Sequence, residues 1–242
     1  MIDRRAFMAV AAATLAQPVI PWRPTATGRI ETLSCDALPR TRVWLPPGYD
    51  RSGLRYKTLY LLDGQWAFAG DAGGVTLSAD TRAAWLMASD TIRPTIIVAI
   101  DNLGDDRFLQ YMPQTIYDEG GPDLRAGVER EIANASRKQL LSAPFIDALV
   151  RELKPRIDAA YRTLPGRLDT AIFGASMAGI MSGAIFVEAG DTFGLGGCMS
   201  PNWAVYDGRF LDYPGLPEQW AGYFGKLDPL KAVACGSITG RR

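Results

Sequence analysis

The sequence predicts an α/β fold: one large domain with a mostly parallel central sheet and helices on both faces. Three observations carry this expectation. Two apolar runs, at residues 58–62 and 95–100, are continuous rather than alternating, as strands buried on both faces of a parallel sheet are. Segments with helical apolar spacing lie between such runs, so strands and helices alternate along the chain. At 242 residues and 48% hydrophobic content, the chain is long enough to wrap one sheet on both sides.

The elements follow in order. Asp3-Arg4-Arg5-Ala6-Phe7-Met8 is a twin-arginine pattern that leads into an apolar stretch over 7–16 and then Gln17-Pro18. A charged start, a short apolar run and small residues before a break predict a twin-arginine-type signal peptide and linker over 1–20, with cleavage after Ala16. The alternative is an N-terminal helix kept in the fold. The run is too short for a stable bilayer anchor, so the expectation is an exported protein, periplasmic or secreted. The main domain is placed at 21–230. Thr41-Arg42-Val43-Trp44-Leu45 alternates polar and apolar and stops at Pro46-Pro47-Gly48, which predicts an early strand and a turn. The runs at 58–62 and 95–100 each end at an aspartate and a loop, Asp63-Gly64-Gln65 and Asp101-Asn102. Helix is expected from Thr81 onward. Another is expected from Ser142-Ala143-Pro144, with Ile146, Leu149, Val150 and Leu153 at helical spacing and Pro155 kinking or dividing it. Asp118 to Asp123, with Gly120 and Gly121, reads as a loop, either merely solvated or part of a lid. Thr170-Ala171-Ile172-Phe173 is a short buried strand; a helical stretch then runs through Glu188, and 194–199 is the next strand.

Composition narrows the function. Lys plus Arg and Asp plus Glu are both 26, so nothing steers the protein toward nucleic acid or an anionic membrane. Cys35, Cys198 and Cys235 are widely spaced, which fits buried or idle thiols better than a zinc site, with one disulfide open after export. The sequence holds no histidine. No metal and no cofactor is expected.

The chemistry centres on Gly174-Ala175-Ser176-Met177-Ala178-Gly179, which joins the strand at 170–173 to the helix that follows. A serine hydroxyl is a weak nucleophile. A strand–turn–helix elbow presents it on a tight turn at the carboxyl edge of the sheet, where such folds keep their sites. Small residues must flank the turn, and Gly174, Ala178 and Gly179 do so, Ala178 standing where a second glycine is usual. Ser176 is therefore the candidate nucleophile; a helix-capping serine is the plainer reading. The aromatic residues Trp66, Phe68, Trp203 and Trp220 line a sugar or aryl pocket on one reading and pack the core or surface on the other.

Leu45-Pro46-Pro47-Gly48-Tyr49, Leu61-Leu62-Asp63-Gly64-Gln65, Glu152-Leu153-Lys154-Pro155-Arg156-Ile157-Asp158 with Tyr161-Arg162-Thr163, the Ser176 elbow and Ser200-Pro201 occur in that order. In this the chain resembles the esterase-D-like esterases of the α/β-hydrolase superfamily. That group includes enterochelin-esterase-like, feruloyl and acetyl-xylan esterases, S-formylglutathione hydrolases and mycolyltransferases. The resemblance implies an α/β-hydrolase fold and a serine carboxylic ester hydrolase acting through an acyl-enzyme on Ser176. It implies the Met177 and Gln65 backbone N–H groups as the oxyanion hole, with Asp63 bracing that loop. Asp63, Arg107, Tyr111 and Trp203 are the candidate substrate contacts, with loop scaffolding the alternative for Arg107 and Tyr111, and the partner is a small-molecule or carbohydrate-linked ester.

The same resemblance exposes a gap. In this superfamily the triad acid and histidine follow the serine, and the sequence after Ser176 contains no histidine. Residues 231–242 change character, without a clear period, and are read as an aberrant tail. A frameshift, a genuine end and a fragment are the three explanations. The expectation is an incomplete sheet lacking its last strands, an exposed sheet edge prone to self-association, and an impaired esterase. Asp63, Asp101 and Asp228 are the carboxylates available to replace the missing base. The alternatives are a non-catalytic binding protein and an inactive gene product.

Overall fold

A computed structural model describes residues 28–71, 76–201, 203, 213, 215–226 and 234–238. The signal-peptide expectation falls outside them. One seven-stranded sheet organises the chain: β1 (Arg29–Leu33), β2 (Thr41–Leu45), β3 (Lys57–Leu62), β4 (Thr95–Ile100), β5 (Thr170–Ala175), β6 (Leu195–Met199) and β7 (Ala234–Ile238), in the order β1-β2-β4-β3-β5-β6-β7. The first two pairings, β1 with β2 and β2 with β4, are antiparallel; the other four are parallel. The sheet is thus mostly parallel, as expected. No helix of the described residues is long and apolar enough to cross a membrane.

The apolar strand runs still obey the two-residue period of a pleat. Ile96, Val98 and Ile100 of β4 join the larger core with Tyr60, Leu62, Val43 and Leu45. Ile97 and Ala99 face the other way, into a smaller core with Leu61, Trp44 and Phe68. Helix α1 (Ala79–Ala88) covers the smaller core through Ala83 and Ala84. The larger one is covered by α2 (Arg107–Tyr111), α3 (Gln114–Asp118), α4 (Pro122–Asn134), α5 (Ser142–Ala148), α6 (Lys154–Ala160), α7 (Met177–Glu188) and α8 (Leu216–Gly225).

Pro155 leaves its mark where expected. It lacks an N–H and crowds the carbonyl one turn earlier. The chain answers with a π-helical stretch at Leu149–Leu153 that links α5 to α6 without a break.

Three segments refine the sequence reading. Residues 118–123 span the tight, mostly exposed turn between α3 and α4, whose ends extend to Asp118 and Pro122. A Cβ on Gly120 would lie 2.6 Å from Leu124 Cδ2 and 2.9 Å from the Ile116 carbonyl, so the corner is closed tightly around a glycine. β1 was not anticipated, because its sequence is polar and its side chains are largely exposed. Within the segment read as an aberrant tail, Ala234–Ile238 pairs in parallel with β6.

Candidate active site

The site is built from the carboxyl ends of three neighbouring strands. β4, β3 and β5 lie side by side and run parallel, with Leu62 opposite Ile100 and Leu61 opposite Phe173. The segments that leave them, Asp101-Asn102, Asp63-Gly64-Gln65 and Ser176, therefore emerge together on one edge.

Ser176 joins β5 to α7 with φ 57° and ψ −123°, a conformation that non-glycine residues rarely adopt. Such strain costs on the order of 1–3 kcal/mol and persists only where the surroundings impose it. Here they do. The Ser176 N–H donates to the Met199 carbonyl at 3.0 Å, and the Ser176 carbonyl accepts from the N–H groups of Gly179 and Ile180 at 3.0 and 3.2 Å. A Cβ on Gly174 would stand 2.1 Å from the Ala178 carbonyl oxygen, so only glycine lets strand and helix cross there. Gly179 is nearly as confined, 3.3 Å from the Gly174 oxygen and from Pro201 Cβ. The side chain of Ser176 is exposed and makes no capping hydrogen bond, which removes the helix-cap reading. Among the described residues no side chain hydrogen-bonds its hydroxyl.

Asp63 follows β3 in the left-handed conformation, at φ 57° and ψ 45°, and opens a short 3-10 turn over Gly64–Trp66. A Cβ on Gly64 would meet the Ile100 backbone at 2.6 Å, so the turn lies directly against the end of β4. Met177 opens α7 and Gln65 lies at the start of the 3-10 turn, positions whose N–H groups lack partners within the helix. Among the described residues neither N–H has a backbone acceptor. Both N–H groups sit at the ends of neighbouring strands, on the same sheet edge as Ser176.

Arg107, Asn102 and Tyr111 converge on Asp63 and its loop. Arg107 grips Asp63 with two parallel hydrogen bonds, Nε to Oδ1 at 2.9 Å and Nη2 to Oδ2 at 2.6 Å. Asn102 Nδ2 adds a third to Oδ1 at 2.7 Å. Burial works against the Arg107 charge, but the hydrogen bonds and charge of Asp63 outweigh it and hold the guanidinium above its ordinary pKa. Tyr111 is fully buried; its hydroxyl accepts the Asp63 N–H at 3.1 Å, and Arg107 lies over its ring at 5.3 Å. Burial, reinforced by the Asp63 charge, pushes its phenol well above the ordinary value. Tyr111 and Arg107 together fix the loop that carries Asp63.

Trp203 packs edge-on against Trp220 and Phe224, with centroids 5.2 and 5.4 Å away, and its carbonyl accepts from Trp220 Nε1 at 2.8 Å. Phe68 is wholly buried, so of the four aromatic residues singled out only Trp66, beside Gln65, is an exposed large side chain. Of the carboxylates considered as substitute bases, Asp101 keeps a buried Oδ1 without a hydrogen-bond partner. Asp63 is held by Arg107 and Asn102, and Asp101 is paired with Arg40 at 2.7 Å. Asp228 lies outside the described residues. Cys35 and Cys198 are both buried. Among the described residues no group of three or more His, Cys, Asp or Glu side chains is placed to hold a metal.

Two positions escaped the sequence reading. Asn102 was visible as the end of a strand, but its bridging of two loops was not: besides reaching Asp63, its backbone N–H donates to Gln65 Oε1 at 3.0 Å. Arg42 looked like an ordinary polar position on a strand, yet it pairs with Asp71, 29 residues away, at 2.6 and 3.0 Å.

A strained serine elbow at the carboxyl edge of a mostly parallel sheet with helices on both faces defines the class as the α/β-hydrolase fold. The family model described as "Putative esterase" matches residues 34–221, and the chain belongs to that esterase family. Among curated proteins none matches. Solved structures of similar fold include an IroE-like serine hydrolase from Shewanella oneidensis, with TM-score 0.54 and 20% identity over 81% of this chain and 55% of that one. Another is the enterobactin esterase FES from Shigella flexneri in the presence of enterobactin, with TM-score 0.52 and 15% identity over 90% of this chain and 54% of that one. The BES protein from Bacillus cereus has TM-score 0.55 and 15% identity over 87% of this chain and 73% of that one. The chain thus spans little more than half the length of the first two.

Proposed function

We propose that the chain is a serine carboxylic ester hydrolase scaffold that acylates at Ser176 but turns over poorly. The observation that carries this reading is the strained Ser176 at φ 57°, with its hydroxyl exposed and uncommitted. In the proposed step Ser176 Oγ attacks the ester carbonyl, the oxyanion is held by the Met177 and Gln65 N–H groups, and the alcohol departs as the acyl-enzyme forms. The hydroxyl proton needs an acceptor, and the 242 residues hold no imidazole to take it. Of the described candidate carboxylates, Asp63 is tied to Arg107, and Asp101 pairs with Arg40 through Oδ2 while its Oδ1 has no hydrogen-bond partner. Oxyanion stabilisation and binding alone leave roughly 10³–10⁴-fold catalysis over water in a serine hydrolase stripped of its triad.

The substrate in this proposal is a small-molecule or carbohydrate-linked carboxylic ester, and the site of action is outside the inner membrane, from the twin-arginine pattern at Arg4-Arg5. Self-association through β7 belongs to the same reading, since among the described residues β7 is paired only with β6; size-exclusion chromatography with light scattering tests it.

The experiment is covalent labelling with a fluorophosphonate followed by peptide mass spectrometry. The proposal expects one adduct per chain, on the Ser176 peptide, and none in Ser176→Ala. Saturable binding of an ester without any adduct would favour the binding-protein reading instead.

A further inference from the structure

The Gly64–Gln65 peptide is the part of the site whose orientation matters most, because one planar unit carries both the Gly64 carbonyl and the Gln65 N–H. In a trans peptide these two groups point in opposite directions, so whatever fixes the carbonyl also aims the N–H. The carbonyl is fixed from outside the turn. Arg42, two strands away on β2, donates Nη2 to the Gly64 oxygen at 2.5 Å, and the Ala67 N–H donates to the same oxygen at 3.0 Å. Sheet order then sets the direction. β2 lies on the β4 side of β3, and β5 lies on the opposite side. A carbonyl turned toward Arg42 turns the Gln65 N–H toward β5, where Ser176 ends its strand.

Arg42 is itself held rigidly. Its guanidinium is bidentate on Asp71, at 2.6 and 3.0 Å, and stands 5.0 Å over the Phe68 ring. Asp71 in turn accepts the Phe68 N–H at 2.8 Å. Arg42 therefore ties the start of the 63–71 loop to its end. Both side chains are nearly buried, at 11% and 12% exposure, so the contact is shielded from competing water. A cationic donor on the carbonyl also polarises the amide, which makes its N–H a stronger donor in a low-dielectric site.

We infer that Arg42, anchored by Asp71, is a positioning residue that aims and strengthens the Gln65 N–H as an oxyanion donor. This rests on the proposal that Gln65 and Met177 form the oxyanion hole.

The test uses the full chain with Arg42→Met, Arg42→Lys and Asp71→Asn, and two readouts. One is the Gln65 amide 1H–15N resonance in the unliganded protein. The other is the second-order rate of Ser176 labelling by a fluorophosphonate. The inference expects Arg42→Met to displace the Gln65 resonance and slow labelling about tenfold, part of the 10²–10³-fold loss seen when an oxyanion donor is removed outright. Arg42→Lys, with one point donor in place of a fork, recovers only part of both, and Asp71→Asn moves both in the same direction by less. A folded Arg42→Met with an unchanged Gln65 resonance overturns the inference, even if its melting temperature falls. If Arg42→Met does not fold, Arg42→Lys decides on the same resonance. Should the unsubstituted protein resist labelling altogether, the ester-hydrolase reading fails, while the resonance still decides whether Arg42 sets this peptide.

Discussion

Replacing Arg107 by Met removes the one cation paired with the Asp63 carboxylate among the described residues, a group only 8% exposed, and leaves Asn102 as a neutral donor to it. Exposed ion pairs contribute about 0–1 kcal/mol, and breaking a fully buried pair costs about 3–5. Side-chain exposures of 26% for Arg107 and 11% for Asp63 put this pair between those limits, and the bidentate geometry favours the upper half. A destabilisation of about 2 kcal/mol is expected for Arg107→Met, which for a domain of this size is a fall of about 4–8 °C in Tm. Asp63→Asn should cost less, because it removes the charge while keeping an acceptor for Asn102. Urea unfolding of both single variants and the double variant gives the coupling, expected at about 1–2 kcal/mol. An additive double variant, or an Arg107→Met protein within 0.5 kcal/mol of the parent, would refute the view that this pair braces the loop.

Three further outcomes are expected. Gly174→Ala forces a methyl to within 2.1 Å of the Ala178 carbonyl; overpacking of this kind costs about 1–3 kcal/mol, and calorimetry should show a lower Tm together with slower labelling of Ser176. Burial alone would raise the Asp71 carboxyl, but the Arg42 hydrogen bond and the Phe68 N–H more than offset it, so its pKa is lowered. A lowered folded pKa adds stability above the unfolded value, near 3.9, and loses it as pH falls through the folded one; Asp71→Asn should flatten stability against pH below about pH 4, as followed by urea titration. Gly64→Ala places a methyl 2.6 Å from the Ile100 backbone and should reduce soluble, folded protein more than Gly48→Ala, where no atom lies within 4 Å, although both backbones must adjust.

Much of the fold was legible because burial on both faces writes itself as unbroken apolar runs. β4 and the end of α7 at Glu188 fall where the pattern placed them. β1 was not legible, since an exposed edge strand needs no apolar code. The turn at Glu119–Gly121 was legible from its loop composition, but the helices α3 and α4 on either side of it were not. At the site, Ser176 and its small neighbours were readable because the elbow admits few residue types. The Asp63–Arg107 and Arg42–Asp71 pairs were not, because charge partners 44 and 29 residues apart leave no periodic trace.

The central claim is a serine presented for attack without an imidazole to activate it. The most direct measurement is the pH dependence of fluorophosphonate labelling at Ser176 between pH 5 and 9, read by intact-mass spectrometry. The account predicts a single adduct on Ser176 whose rate climbs steadily with pH, without an inflection near 6.5, where an imidazole would titrate. A plateau reached near neutral pH, at rates typical of an activated serine, would reveal an internal base and contradict it.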